Sequence, residues 1–267
     1  INTFYLTDEN GNQLSGGKKL DQFLEELSMV KWVNTGDIMD RSLVETGLLT
    51  TKQANLIRAI ANFVHQLLTD VNRDQFRYKT VHEAFTRHPD ITENLFEYFD
   101  ARLNPDLILQ FSSPSQENWL LRLIDGIDTG IHLNDKTRKT ILKTAVIFIA
   151  HIFKTNYYVS RISALGFRLN PEFIKKIIPD YRQLYPEIPF GIFYINGRDF
   201  KGFHIRFRDL ARGGLRTLIP EDPEKIAAAS DELFRECYNL AYTQQKKNKD
   251  IPESGAKAII LLNVNEK

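Results

Sequence analysis

The chain has 267 residues, a formal net charge of +1, 42% hydrophobic and 26% charged residues. That length can bury a sizeable core in one or two domains, and the composition excludes a disordered chain. The near-zero charge argues against nucleic acid as the main partner, so any charge-based function has to be local.

Cys237 is the single cysteine, which excludes an internal disulfide and a cysteine-based metal site and is compatible with a reducing compartment. The six histidines show no paired ligand spacing, so no metal is assigned. The most apolar window, residues 144–153, is far shorter than the roughly 20 residues a bilayer span needs, and no membrane partner is expected. The start at Ile1 and the apolar run close to Lys267 read as a piece of a longer chain.

Taken in order, the chain opens with a strand-like pattern at Ile1, Phe4, Tyr5 and Leu6 and a polar turn at Asn10-Gly11-Asn12. From Leu20 to about Lys154 the period is helical. Thr50 and Gln53 form a capping-box pattern, followed by Leu56, Ile60, Phe63, Val64 and Leu67 on one helix face. Asp90 with Glu93 repeats the signature, and Asn104-Pro105 stops that helix. A third amphipathic segment runs through Trp119, Leu120, Leu123, Ile124 and Ile127, and a fourth covers residues 138–154.

The period then changes. Leu165, Phe167 and Leu169 alternate with Ala164, Gly166 and Arg168 as a strand. Asn196-Gly197 between two apolar arms predicts a hairpin, whose second arm ends at Asp209 and points Phe203, Ile205 and Phe207 one way and His204, Arg206 and Arg208 the other. Asp222-Pro223 starts a helix carrying Ile226, Leu233, Cys237 and Leu240, and an apolar strand follows from Ala258. The expected fold is therefore α+β or α/β: a mainly helical domain over residues 1–155, then an α/β part over 156–267.

Two basic stretches could carry chemistry. Residues 201–216 hold five basic residues against one acid, with Gly213-Gly214 between Arg212 and Arg216. Glycine lets a backbone approach a bound group, and guanidinium forks grip carboxylates or phosphates, so this is a candidate anion site; a solvated basic face beside a tight turn is the alternative. Residues 243–257, TQQKKNKDIPESGAK, lead a helix through a turn into a buried strand. Lys257 stands at the strand start, where partial burial and neighbouring cations would lower its pKa and suit it to general-base or carbonyl chemistry; a surface lysine is the alternative. Arg206, Arg208, Lys246, Lys247 and Lys249 as a nucleic-acid surface ranks last, because no aromatic residues interleave with the lysines. The chain has no GxGxxG, so it has no recognisable nucleotide fold of its own.

GFHIRFRDLARGGLR (202–216) and YTQQKKNKDIPESGAKAIILL (242–262), with the upstream blocks at 87–106 and 154–171, resemble the large, NAD-specific class of glutamate dehydrogenases. The resemblance implies that the α/β part is the first, substrate-binding half of that class's catalytic domain, with a Rossmann domain for NAD expected beyond Lys267. It implies oxidative deamination of L-glutamate to 2-oxoglutarate and ammonia, a homo-oligomer in the complete protein, and a cytoplasmic setting in bacteria or a mitochondrial one in eukaryotes. It makes Lys257 the catalytic lysine and Arg212, with Gly213 and Gly214, the grip on the side-chain carboxylate. For the α-carboxylate, the small-enzyme spacing points to Gln245 and the large-class pattern to Lys247, which is taken here. Ser254 and Ala258 stand where the family's loop usually has glycine. No cofactor-binding residue is assigned within the chain, which alone is expected to be inactive. A helical module serving only regulation or assembly is the alternative reading.

Overall fold

The computed structural model of the chain describes residues 5, 7, 10–12, 17–33, 35–107, 114–160, 162–247 and 253–263. Most of the strand-like pattern at Ile1–Leu6, together with Lys249 and Pro252, lies outside them. Among the described residues six α-helices come first: α1 Lys18–Met29, α2 Thr51–Asn72, α3 Tyr78–Thr86, α4 Pro89–Leu103, α5 Pro114–Asp125 and α6 His132–Ala150. Then follow β1 Ile152–Thr155, β2 Ala164–Leu169, the short α7 Phe173–Ile177, β3 Gly191–Gly197, β4 Phe200–Arg206, β5 Ala211–Leu218, α8 Pro223–Lys246 and β6 Ser254–Leu262. The strands form one sheet in the order β1-β2-β3-β4-β6-β5. Its neighbours pair antiparallel, except that β5 and β6 run parallel with α8 as the crossover between them.

The mixed helix-and-sheet class agrees with the sequence, and α2 is the element around which it is built. Its N-terminus carries the capping box in full: Gln53 N donates to Thr50 Oγ1 at 3.3 Å and Thr50 N to Gln53 Oε1 at 2.8 Å. Every residue from Leu56 to Thr69 is buried, so the helix has no solvent face along that stretch. Its apolar stripe holds Phe63, whose ring lies 4.2 Å from Phe148 of α6, 5.3 Å from Phe173 of α7 and 5.4 Å from Tyr194 of β3. Burying one such ring contributes about 2 kcal/mol, so α2 joins helices and sheet in one hydrophobic cluster that crosses residue 155 without a break.

The polar side of α2 is buried as well, and each group there needs a partner. Arg58 binds Asp37 at 2.7 Å and Asp40 at 3.0 Å; Asn62 donates to Asn196 Oδ1 at 2.9 Å; Gln66 donates to the Ser230 carbonyl. These bonds tie α2 to the segment before it, to β3 and to α8.

Four sequence expectations need correction. Asp90 does not cap α4: Pro89 takes the first helical position and His88 the N-cap, because a proline without an N–H fits the first turn. The helix expected over 138–154 ends at Ala150, and Ile152–Thr155 pair with β2 as a strand. Asn196-Gly197 is not the hairpin turn: Asn196 pairs with Lys201, so the connection is Gly197 to Phe200, and the Asn196 side chain is held inward by Asn62. Gly213-Gly214 lies in no turn but in the middle of β5, a strand the sequence reading missed because its glycines and charges show no alternation.

Candidate substrate site on the β5–α8–β6 unit

Three local features shape this unit. Asp222 caps α8 by accepting the Lys225 N–H at 2.8 Å, with Pro223 in the first turn. One face of α8 buries Leu233, Phe234, Cys237, Tyr238 and Ala241 against the sheet. β6 then returns under α8, so close that a Cβ on Gly255 would overlap the Ala241 carbonyl and the Gln245 amide. Gly213 is equally constrained: a Cβ there would overlap the Ala256 carbonyl. Only glycine lets these backbones meet.

The register decides which side chains share a face. In the parallel pair Arg212 stands beside Gly255, Gly214 beside Lys257 and Arg216 beside Ile259. Paired residues point to the same side of a sheet. Arg212, Gly214, Arg216 and Lys257 therefore lie on the side covered by α8, and the 2.6 Å ion pair of Arg216 with Glu236 of α8 agrees with this. Lys257 Nζ lies over Gly214, 3.7 Å from where a Cβ would be. Lys257 is partly buried.

Only the Arg212–Arg216 part of the first basic stretch shares this side with Lys257. Arg206 pairs with Ala256 and His204 with Ala258, one residue out of phase with Lys257, which puts them on the opposite side of the sheet. There His204 stacks on Phe193 at 5.6 Å, and burial followed by the nearby Arg206 charge lowers its pKa. Arg206 donates to the Asp209 carbonyl.

Arg212 lies at the surface and pairs with Glu253 at 3.2 Å. Lys247 caps the C-terminus of α8 and is exposed. Gln245, the alternative to Lys247, is built into the strand start: its Oε1 accepts from Ser254 Oγ at 2.7 Å and from the Gly255 N–H at 2.8 Å. Ser254 thus ties the start of β6 to the end of α8 through the hydroxyl that glycine would lack. Two acids that the sequence reading did not single out complete the surroundings. Glu253 holds Arg212, and Glu187 holds Lys246 at 3.1 Å. The signal for Glu253 was its place inside the lysine turn; Glu187, some sixty positions from Lys246, gave none. Cys237 lies beneath the unit against the Phe203 and Lys257 carbonyls, and burial pushes its thiol up to about 12, so it is packing rather than chemistry.

The same unit tests for a dinucleotide. A pyrophosphate requires a glycine turn between strand and helix. Here Leu218 is followed by Ile219-Pro220-Glu221-Asp222, with no glycine and two carboxylates, so this unit does not fit NAD. Among the described residues no cluster of His, Cys, Asp and Glu could hold a metal ion, and no helix is long and apolar enough to cross a membrane.

Residues 39–105, covering α2, α3 and α4, match the family described as glutamate dehydrogenase, helical motif 3. The chain is 48% identical over 130 residues to the NAD-specific glutamate dehydrogenase of Saccharomyces cerevisiae, covering 49% of this chain and 11% of that protein. It is 33% identical over 207 residues to glutamate dehydrogenase 2 of Dictyostelium discoideum, covering 75% of this chain and 18% of the relative. With the NAD-specific glutamate dehydrogenase of Neurospora crassa it shares 31% identity over 227 residues, 80% of this chain and 21% of the relative. The matches support a segment of a glutamate dehydrogenase of the NAD-specific kind, and the chain spans about a tenth to a fifth of the length of these relatives.

Proposed function

We propose that the chain supplies the amino-acid-binding part of an enzyme that oxidatively deaminates L-glutamate to 2-oxoglutarate and ammonia. The observation that carries this is the parallel register, which sets Arg212, Gly214 and Lys257 on one face with the Lys257 ammonium over the glycine backbone. Hydride acceptance belongs to NAD, the cofactor in the relatives' names, and no described residue of this chain is assigned to it.

Lys257 is the catalytic residue of this reading. The neutral Lys257 amine takes the proton that water loses on adding to the oxidised substrate and returns it to the nitrogen of the carbinolamine. It then takes the hydroxyl proton as ammonia leaves, and in its ammonium form it stabilises negative charge on the oxygen that becomes the 2-oxo group. Arg212 grips the side-chain carboxylate, and its present bond to Glu253 supports a guanidinium placed to receive one. Lys247 takes the α-carboxylate, with Gln245 beside it holding the start of β6. Assembly of the complete protein as a homo-oligomer belongs to the same reading. The burial of α2 against both β3 and α8 favours a helical part that walls the sheet over a separate assembly module.

In the complete protein, Lys257→Ala is expected to lower glutamate-dependent NADH formation by about 10³-fold or more while circular dichroism and melting stay unchanged. Near-normal turnover in that variant removes Lys257 from the chemistry. The 267 residues alone are expected to form no NADH from glutamate.

A further inference from the structure

A cavity of about 500 Å³ opens at the other end of the sheet, between α2, the β3–β4 hairpin, the first turns of α8 and the end of β6. Its volume falls within the range of small-molecule sites, about 300–1,000 Å³. Leu261 lies in its wall, four positions along β6 from Lys257, which separates it from the glutamate site by about 13 Å.

The chemistry of the wall is specific. Lys201 enters from β4, partly buried, donating from Nζ to Ser230 Oγ, with Nζ 5.9 Å from the centre of the Tyr78 ring. Burial brings its pKa down to about 8, against an opposing pull from Asp231. That acid is already committed, to His65 Nε2 at 3.3 Å and to Arg73 at 3.2 Å, and Lys201 makes no direct ion pair with a described residue. An ammonium taken out of water without a directly bound counter-charge is costly. Two further wall residues carry buried atoms with no hydrogen-bond partner among the described residues: Asn62 Oδ1 and His65 Nδ1. Such orphans mark a place where another molecule belongs. Phe200, Ile226 and Leu261 give the wall its apolar surface, and Asn196, Arg198 and Asn263 complete its polar part.

We propose that this cavity binds a small organic acid carrying a hydroxyl group. Its carboxylate pairs with Lys201 Nζ and Ser230 Oγ, its hydroxyl donates to Asn62 Oδ1, and its carbon skeleton lies against Tyr78 and Ile226. Lys201 and Arg198 stand in the wall with one carboxylate, Asp231, and that small positive excess suits a single negative charge better than phosphate or a dicarboxylate. The site is separate from the glutamate reading and does not depend on it.

The test is lysine labelling in the complete protein: limited reductive methylation, read residue by residue by mass spectrometry. The probes are lactate, 3-hydroxybutyrate and mandelate, each with its primary amide as the neutral control. At a concentration well above its dissociation constant, at least one acid is expected to slow labelling of Lys201 about tenfold, saturably, because occupancy removes the free amine from reaction. Lys257 is expected to keep its rate, and Ser230→Ala and Asn62→Leu, which leave Lys201 in place, to weaken the protection. Protection by none of the acids overturns the proposal, as does equal protection by the amides, protection by inorganic phosphate alone, or a Lys201 that does not label in the free protein. Protection of Lys257 in place of Lys201 also overturns it, while leaving the glutamate reading intact.

Discussion

At the start of β6 the sheet side beneath α8 is made of glycine backbone and surface cations; four residues further along the same strand it is made of polar side chains taken out of water. Gly213 and Gly255 let β5, β6 and α8 close on one another, and Arg212 and Lys247 extend from that platform into solvent. At the far end Asn62, His65, His82, Lys201 and Asp231 come from α2, α3, β4 and α8, and burial has moved the protonation of most of them. One end is built by removing side chains, the other by burying them. The first should therefore respond to added volume and the second to pH.

The largest effect expected is steric. Gly213→Ala drives a methyl into the Ala256 carbonyl, which can move only if β5 and β6 separate. About 3 kcal/mol of local stability should be lost, read as faster hydrogen exchange in peptides covering both strands. Gly214→Ala, one residue on, meets only Lys257 Nζ at 3.7 Å and should leave that exchange unchanged. If the two variants behave alike, the close approach at Gly213 is not what sets this end of the sheet.

The second effect belongs to the far end. His82 is buried with Nδ1 bonded to the Tyr78 carbonyl at 2.9 Å, and burial holds its pKa at about 3, opposed by that bond and reinforced by His65 and Lys201. A depressed folded pKa for a base means that the unfolded state takes up the proton first. Stability is thus full above the unfolded value and falls as pH drops from about 6.5 towards 3. Between pH 7 and pH 5 the protein should lose about 2 kcal/mol more around α3 than the His82→Gln variant does. Equal losses in the two proteins would mean that His82 is hydrated.

These two ends also differ in how much of them the sequence displayed. The Lys257 end comes from two contiguous stretches, each dense in glycine or lysine, and both were legible. What they did not reveal was parity: the register puts Arg212 with Lys257 but His204 and Arg206 on the other face, and a strand without alternation hides its register. The helical segments were legible from periodicity, and the Thr50 cap was formed as expected. The helical period in α2 marked a single apolar stripe, while the structure buries Arg58, Asn62, His65 and Gln66 as well. Their partners are distant in sequence: Asn196 lies 134 positions from Asn62, and Ser230 lies 164 from Gln66. No local pattern encodes such pairs, so the Lys201 cavity could not be read from the chain.

A third, smaller effect reverses the sign of the pH response. Lys201 carries a folded pKa near 8 against 10.5 for the free side chain, so between those values the unfolded state binds the extra proton. Stability should rise with pH across that window, by about 1 kcal/mol once partial exposure is allowed for, and the rise should vanish in Lys201→Met. A flat profile in the parent protein would mean that Lys201 already has a counter-ion, and the cavity would then need no acid.

The smallest stability effect is expected at the residue with the clearest proposed role in binding. Arg212 and Glu253 form an exposed pair, with side chains 69% and 33% accessible, and such pairs contribute about 0.5 kcal/mol or less. Arg212→Gln should therefore leave hydrogen exchange in β5 unchanged. If Arg212 is the proposed grip on the substrate carboxylate, the same change in the complete enzyme should raise KM for glutamate about tenfold or more with a smaller change in kcat. Glu253→Gln sharpens the point, because it frees Arg212 from its internal carboxylate and should lower KM where Arg212→Gln raises it. If both variants raise KM equally, the pair acts as a structural clip at the sheet edge, and the carboxylate grip has to be sought among Lys247 and its neighbours.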